Sequence, residues 1–317
     1  MDPPGGRYLD RRAACSPIGA ARLSQLVLGC AVVAMVIHSA GYSGSYGVFC
    51  MAVWCLCFAV TTVIFFLDAT RLYGCLPVSW GNLTVAFAAL ATLMYVTASV
   101  VYPLYFVSSE CPYAGCEVRN FRIAVATCSA AATLAYGAEV ALSRRPGQAA
   151  GAAGYMATPP GVLKVVQAFV ACVIFGGVAD GGGLAGRPGL VCCVAAWAGC
   201  FGLTSLLVLL AVCGRTGAAA AAPRRCLPWE RLLAAYGLLA LLLYLGASVA
   251  WPVLCFDPKY GSPWRPASCP RGGCVWDSRL VVSVLSFLNL GLYAADLLYS
   301  QRPPPGPRAP GAPRPRV

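Results

Sequence analysis

The chain has 317 residues, 59% of them hydrophobic and only 11% charged, with a mean hydropathy of +0.71, whereas a soluble domain carries roughly a quarter charged residues. Despite a formal net charge of +12, that balance excludes a soluble enzyme or nucleic-acid-binding domain and places the chain in lipid. A single histidine, His38, also excludes most haem, di-histidine metal and multi-histidine proton-relay chemistry; at the end of its apolar run it reads as a polar residue of the outer interface.

Residues 1–15 form a polar tail carrying Arg7, Arg11 and Arg12, and Met1 to Ala21 shows no short apolar segment ending at a small-residue cleavage site, so the first span is expected to act as an uncleaved signal. Apolar runs then follow at approximately 22–39, 48–67, 83–106, 121–142, 162–179, 189–213, 231–254 and 279–299. About 20 apolar residues cross a hydrocarbon core as a helix, and backbone amides cannot remain unpaired in lipid. The predicted fold is therefore an all-α integral membrane protein with eight transmembrane helices.

The two halves align. Arg22, Gln25 and Cys30 match Lys164, Gln167 and Cys172; Trp54, Cys57 and Phe58 match Trp197, Cys200 and Phe201. Trp80, Tyr95, Ser99 and Pro103 match Trp229, Tyr244, Ser248 and Pro252, and Arg122, Tyr136 and Glu139 match Arg279, Tyr293 and Asp296. Length changes fall only between apolar runs, which is the mark of a tandem duplication. The expected organisation is a cytosolic tail at 1–15, a four-span domain at 16–145, a Gly/Ala-rich linker at 146–157, a second four-span domain at 158–301 and a Pro/Arg-rich cytosolic tail at 302–317. With an even number of spans in each, the two bundles run parallel rather than inverted.

Placing the N-terminus in the cytosol leaves seven of the 23 Lys and Arg residues on the far side: Arg119, Arg122, Arg187, Lys259, Arg265, Arg271 and Arg279. The positive-inside rule thus favours cytosolic termini. This orientation puts Cys111-Pro-Tyr-Ala-Gly-Cys116 and Cys269-Pro-Arg-Gly-Gly-Cys274 in an oxidising compartment, where Cys111–Cys116 and Cys269–Cys274 bridges are expected. A redox-active pair is the rival, disfavoured by the absence of a neighbouring histidine and of two-residue spacing. The remaining cysteines read as small packing residues, with Cys15, Cys75, Cys213 and Cys226 near the cytosolic face as candidates for palmitoylation. The Asn82-Leu83-Thr84 sequon falls on the cytosolic side, so it is expected to carry no glycan.

Arg22 and Glu139, and their equivalents Lys164 and Asp296, sit near the cytosolic ends of spans. They read as structural ion pairs Arg22–Glu139 and Lys164–Asp296, able to snorkel, with an ion or proton path as the alternative. Asp68, which has no charged equivalent, reads as an interfacial residue. Thr61, Thr92, Thr97, Ser99 and Ser248 are expected to bond to backbone or neighbouring helices. No nucleophile, phosphate-loop or metalloprotease motif occurs, so no catalytic, cofactor-binding or metal site is expected.

Four spans with cytosolic ends and a cysteine pair in the second outer loop resemble the MARVEL domain. Two in tandem, with Leu76-Pro-Val-Ser-Trp-Gly-Asn82, Cys255-Phe-Asp-Pro-Lys-Tyr-Gly261 and Tyr299-Ser-Gln-Arg302, resemble the myeloid-associated differentiation marker family. The resemblance implies two MARVEL-like four-helix bundles, no enzyme activity, no cofactor, and a plasma-membrane or vesicle protein organising lipid and protein microdomains in trafficking or cell junctions. Its implied partners are membrane lipids including cholesterol-rich domains, other membrane proteins and a second copy of the chain. A channel or transporter is the alternative, requiring polar residues along one helix face at the bilayer middle.

Overall fold

The computed structural model describes residues 15–107, 117–145, 154–181, 184, 186–214, 229–269 and 274–300. Among these, eight helices are long and apolar enough to cross a membrane, and no strand occurs. They are α1 (Pro17–His38), α2 (Gly44–Thr70), α3 (Trp80–Phe106), α4 (Glu117–Ser143), α5 (Pro159–Asp180), α6 (Pro188–Val212), α7 (Trp229–Phe256) and α8 (Val275–Ser300).

Most helices outrun the apolar segments that announced them, because capping decides where a helix ends. Ser16 precedes α1 in an extended conformation and its Oγ accepts from Gly19 N at 3.0 Å, with Pro17 as the first helical residue. This satisfies an orphan amide and uses a proline whose missing N–H would have had no helical partner. Arg22 therefore lies more than a turn inside the helix. At the other end of the first hairpin, Arg71 closes α2 in the left-handed region (φ 56°) and leads into a short 3-10 turn, Leu72–Cys75.

The chain divides into two compact units, Met1–Phe169 with Leu203–Ala221, and Val170–Gly202 with Ala222–Val317. In the first, α1 packs on α2 and α4, and α3 packs on the same two helices, closing a four-helix ring. Its centre is aromatic and small: Trp54, Tyr95, Tyr102 and Tyr136 are fully buried among Val32, Val36, Cys50, Cys57, Ala91, Ala98 and Ala132. In the second unit α7 packs on α8, and Trp197, Tyr244, Trp251 and Tyr293 are buried. The ring pairs repeat: Trp54 meets Tyr102 at 5.1 Å and Trp197 meets Trp251 at 5.2 Å; Tyr95 meets Tyr136 at 5.2 Å and Tyr244 meets Tyr293 at 4.9 Å.

The outside is the reverse of a soluble protein's. Leu134 is 75% exposed and Leu104 65%, with Val27, Leu242, Val284 and Leu298 also exposed. Large aliphatics outside and hydrogen-bonding side chains inside suit a hydrocarbon solvent, which cannot satisfy polar groups. Several cysteines expected to fill the core, Cys30, Cys55, Cys172 and Cys192, instead face outward, whereas Cys50, Cys57, Cys193, Cys200 and Cys255 are buried. A thiol is apolar enough for either place.

Candidate functional site

The most polar place in the first unit is built by all four of its helices near one end. Arg22 on α1 donates from Nε to Glu139 Oε1 on α4 at 2.7 Å and from Nη1 to Asp68 Oδ2 on α2. Gln25, one turn on from Arg22, donates from Nε2 to Glu139 Oε2 at 2.8 Å. Trp80, the first residue of α3, donates from Nε1 to Asp68 Oδ1 at 2.6 Å and stacks on Tyr73 of the 3-10 turn at 5.4 Å. One guanidinium thus bridges two carboxylates, giving each a separate N–H of its rigid planar fork.

The Arg22 and Glu139 side chains are only 7% and 5% exposed, and Asp68 is 23% exposed. The two charges lie about a turn from the helix ends, as expected, but face each other inside the bundle rather than snorkelling outward. Asp68, expected as an interfacial residue, lies in the last turn of α2, part-exposed, and is held from two sides. The signal for it was available in sequence, since an acid ending one span lies a short turn from a tryptophan opening the next.

A second polar row runs through the aromatic core. Thr61 Oγ1 and Tyr136 OH are 2.7 Å apart. Trp54 Nε1 donates to Ser129 Oγ at 3.2 Å, which lies 2.8 Å from Ser99 Oγ. Thr92 and Thr97 return their hydroxyls to Ala88 O and Leu93 O at 2.7 and 3.0 Å. In the second unit Ser286 Oγ donates to Ser283 O at 2.8 Å and Asn289 Nδ2 to Tyr244 OH at 2.8 Å, while Ser248 is fully buried. Ser129 and Ser286 occupy matching places in the repeats, a correspondence that sequence reasoning missed.

Asn82 is the third element. Its Oδ1 accepts from Met156 N at 3.0 Å and its Nδ2 donates to Ala211 O at 2.8 Å, next to a bond from Ser79 N to Val212 O at 2.7 Å. The asparagine caps the end of α6, whose last carbonyls have no helical partners, and fixes the 3-10 turn Tyr155–Ala157 ahead of α5. A Cβ on Gly154 would lie 2.0 Å from Asn82 Oδ1, so only glycine allows this approach. The sequence had offered Asn82 only as a glycan acceptor.

Of the other expected residues, Lys164 on α5 and Asp296 on α8 are both buried. Cys269 and Cys274 are joined, with sulfurs 2.05 Å apart; Cys111 and Cys116 lie outside the described residues, as does Cys226. Cys15, Cys75 and Cys213 are exposed. His38 ends α1 and meets Phe121 edge-on at 4.7 Å. These arrangements link helices by polar contacts inside an apolar shell.

The MARVEL membrane-associating domain profile matches residues 13–142 and again 155–299. Myeloid-associated differentiation marker-like protein 2 of Rattus norvegicus is 51% identical over 95% of this chain and 96% of its own length, and that of Homo sapiens is 50% identical over the same shares. The myeloid-associated differentiation marker of Homo sapiens is 38% identical over 91% of this chain and 88% of its own. No solved structure matches. Two domain matches falling on two four-helix repeats show that the chain belongs to the MARVEL family of multi-pass membrane proteins.

Proposed function

We propose that this chain is a non-enzymatic organiser of membrane, gathering lipid and other membrane proteins into microdomains during trafficking or at cell junctions, with both termini in the cytosol. The observation that carries it is the inverted surface. Leu104, Leu134, Val284 and Leu298 face outward while Arg22, Glu139, Gln25, Ser129 and Thr61 are turned inward. Polar groups bonded to each other across helices serve to hold the bundle together. The working surface is then lateral, and its partners are sterol-rich lipid, other spans and copies of itself.

In this reading Arg22, Asp68 and Glu139 are structural, and repeat equivalence extends the same role to Lys164 and Asp296. The Cys269–Cys274 bridge, with its counterpart Cys111–Cys116, braces the hairpin between the third and fourth spans of each repeat on the non-cytosolic side. Detergent-resistant fractionation and proximity labelling in cells, with and without sterol depletion, test the proposal. Sterol-dependent co-fractionation with a recurring set of membrane neighbours supports it; a distribution indifferent to sterol, without such neighbours, refutes it.

A further inference from the structure

The segment joining α7 to α8 is longer than its counterpart joining α3 to α4, and its described residues Asp257–Cys269 fold onto the ends of both helices. Gly261 N donates to Asp257 O at 2.8 Å and Ser262 N to Cys255 O at 3.1 Å. Gly261 is required here, because a Cβ would lie 2.0 Å from Cys255 O. Trp276 Nε1 donates to Ser262 O at 3.1 Å and its ring meets Phe256 edge-on at 5.4 Å. Arg265 grips Asp277 with two bonds of 2.9 and 3.0 Å and reaches Cys269 O at 3.4 Å, just before the Cys269–Cys274 bridge.

A loop so tied is preformed, yet it presents aromatic rings outward. Trp264 is 81% exposed and Tyr260 52%. The backbone beneath the indole is fixed, since Ser262 Oγ donates to Trp264 O at 3.0 Å. Lys259 Nζ stands 5.4 Å from the Tyr260 ring, so a cation accompanies the aromatics. The spans on either side of the platform carry exposed apolar residues: Val249 and Val253 on α7, Val275, Leu280 and Val281 on α8. Indole and phenol rings beside the end of a span favour the headgroup layer, where the ring is desolvated and its polar edge stays wet. Flanking cations there meet lipid phosphates.

We infer that residues 257–269 form a membrane-interface platform that seats Trp264 and Tyr260 in the lipid headgroup layer at the ends of α7 and α8. The inference rests on those helices crossing a bilayer and is independent of the organiser reading. Because the loop is ordered by its own bonds, docking on lipid costs little further ordering. It gives the second repeat an interfacial anchor held by Arg265–Asp277 and by the adjoining disulfide.

The test uses the full chain in phosphatidylcholine nanodiscs, with the emission of Trp264 isolated as the difference between wild type and Trp264→Phe. The expected difference spectrum is blue-shifted, quenched by lipid brominated near the headgroup and unaffected by aqueous iodide. Trp264 is exposed and packs little, so the variant is expected to keep the wild-type size-exclusion profile. Arg265→Ala, which releases the platform, is expected to lose most of the lipid quenching. A red-shifted difference spectrum quenched by iodide and not by brominated lipid overturns the inference. So does protection of Trp264 in cell membranes but not in nanodiscs, which assigns the face to a protein.

Discussion

Replacing Asn82 by alanine removes one side chain from the third helix and two bonds whose other ends lie far along the chain. Met156 N loses its acceptor at 3.0 Å and Ala211 O loses a donor at 2.8 Å. A buried amide left without a partner costs about 1–3 kcal/mol, and a lost bond to a carbonyl that keeps another partner about 1 kcal/mol. Ala211 O does keep one, from Gly214 N at 3.1 Å. The expected loss is therefore about 2–4 kcal/mol. Asn82→Asp retains an acceptor for Met156 but turns a carboxylate oxygen toward the Ala211 carbonyl, so it should be at least as harmful. Thermal unfolding of the detergent-solubilised protein, followed by fluorescence-detected size exclusion, reads the effect as a midpoint lowered by several degrees in both variants. A midpoint equal to wild type in Asn82→Ala would refute the capping role and the reasoning from these distances.

Arg22→Ala should destabilise more than Glu139→Gln, because it leaves the buried Glu139 and the half-buried Asp68 without their shared cation; breaking a buried pair costs about 3–5 kcal/mol, and denaturant titration of each variant in micelles checks the order. Arg22→Lys should recover only part of that loss, since a compact ammonium lacks the spread, fixed donors with which the guanidinium meets each carboxylate. Trp54→Phe should lower stability by about 1 kcal/mol through the lost bond to Ser129, while Trp54→Phe in a Ser129→Ala background should cost less, as a double-mutant cycle will show. Maleimide–polyethylene glycol added to intact cells should leave Cys269 and Cys274 unmodified until a reductant is supplied, and modification of both without it would count against the brace.

The spans, the duplication and the residues matched between repeats were legible because hydrophobic runs of this length have one solution in lipid. Arg22 and Glu139 were legible for the same reason, as charges inside apolar runs demand partners. What escaped was whatever depends on distant chain meeting at one point. Asn82 bonds residues 74 and 129 positions away, and no local pattern announces such partners, so the sequence marked it only as a sequon on the cytosolic side, expected to stay unglycosylated. Asp68 was read as an interfacial residue without partners in view, because it has no charged counterpart in the second repeat. The second repeat carries Ala211 at the matching place, without a charge, and its carbonyl is the one Asn82 caps. The helix ends were underestimated since capping residues such as Ser16 are polar and lie outside any hydropathy window.

The account stands most directly on which side of the membrane each end of the chain lies. Epitope tags at Met1 and Val317, probed with antibody on unpermeabilised and then permeabilised cells, decide it. Staining of both tags only after permeabilisation, with an added tag in the 257–269 loop reached on intact cells, is the predicted result. Either terminus stained on intact cells contradicts the account, since it places the Cys269–Cys274 bridge on the reducing side of the membrane.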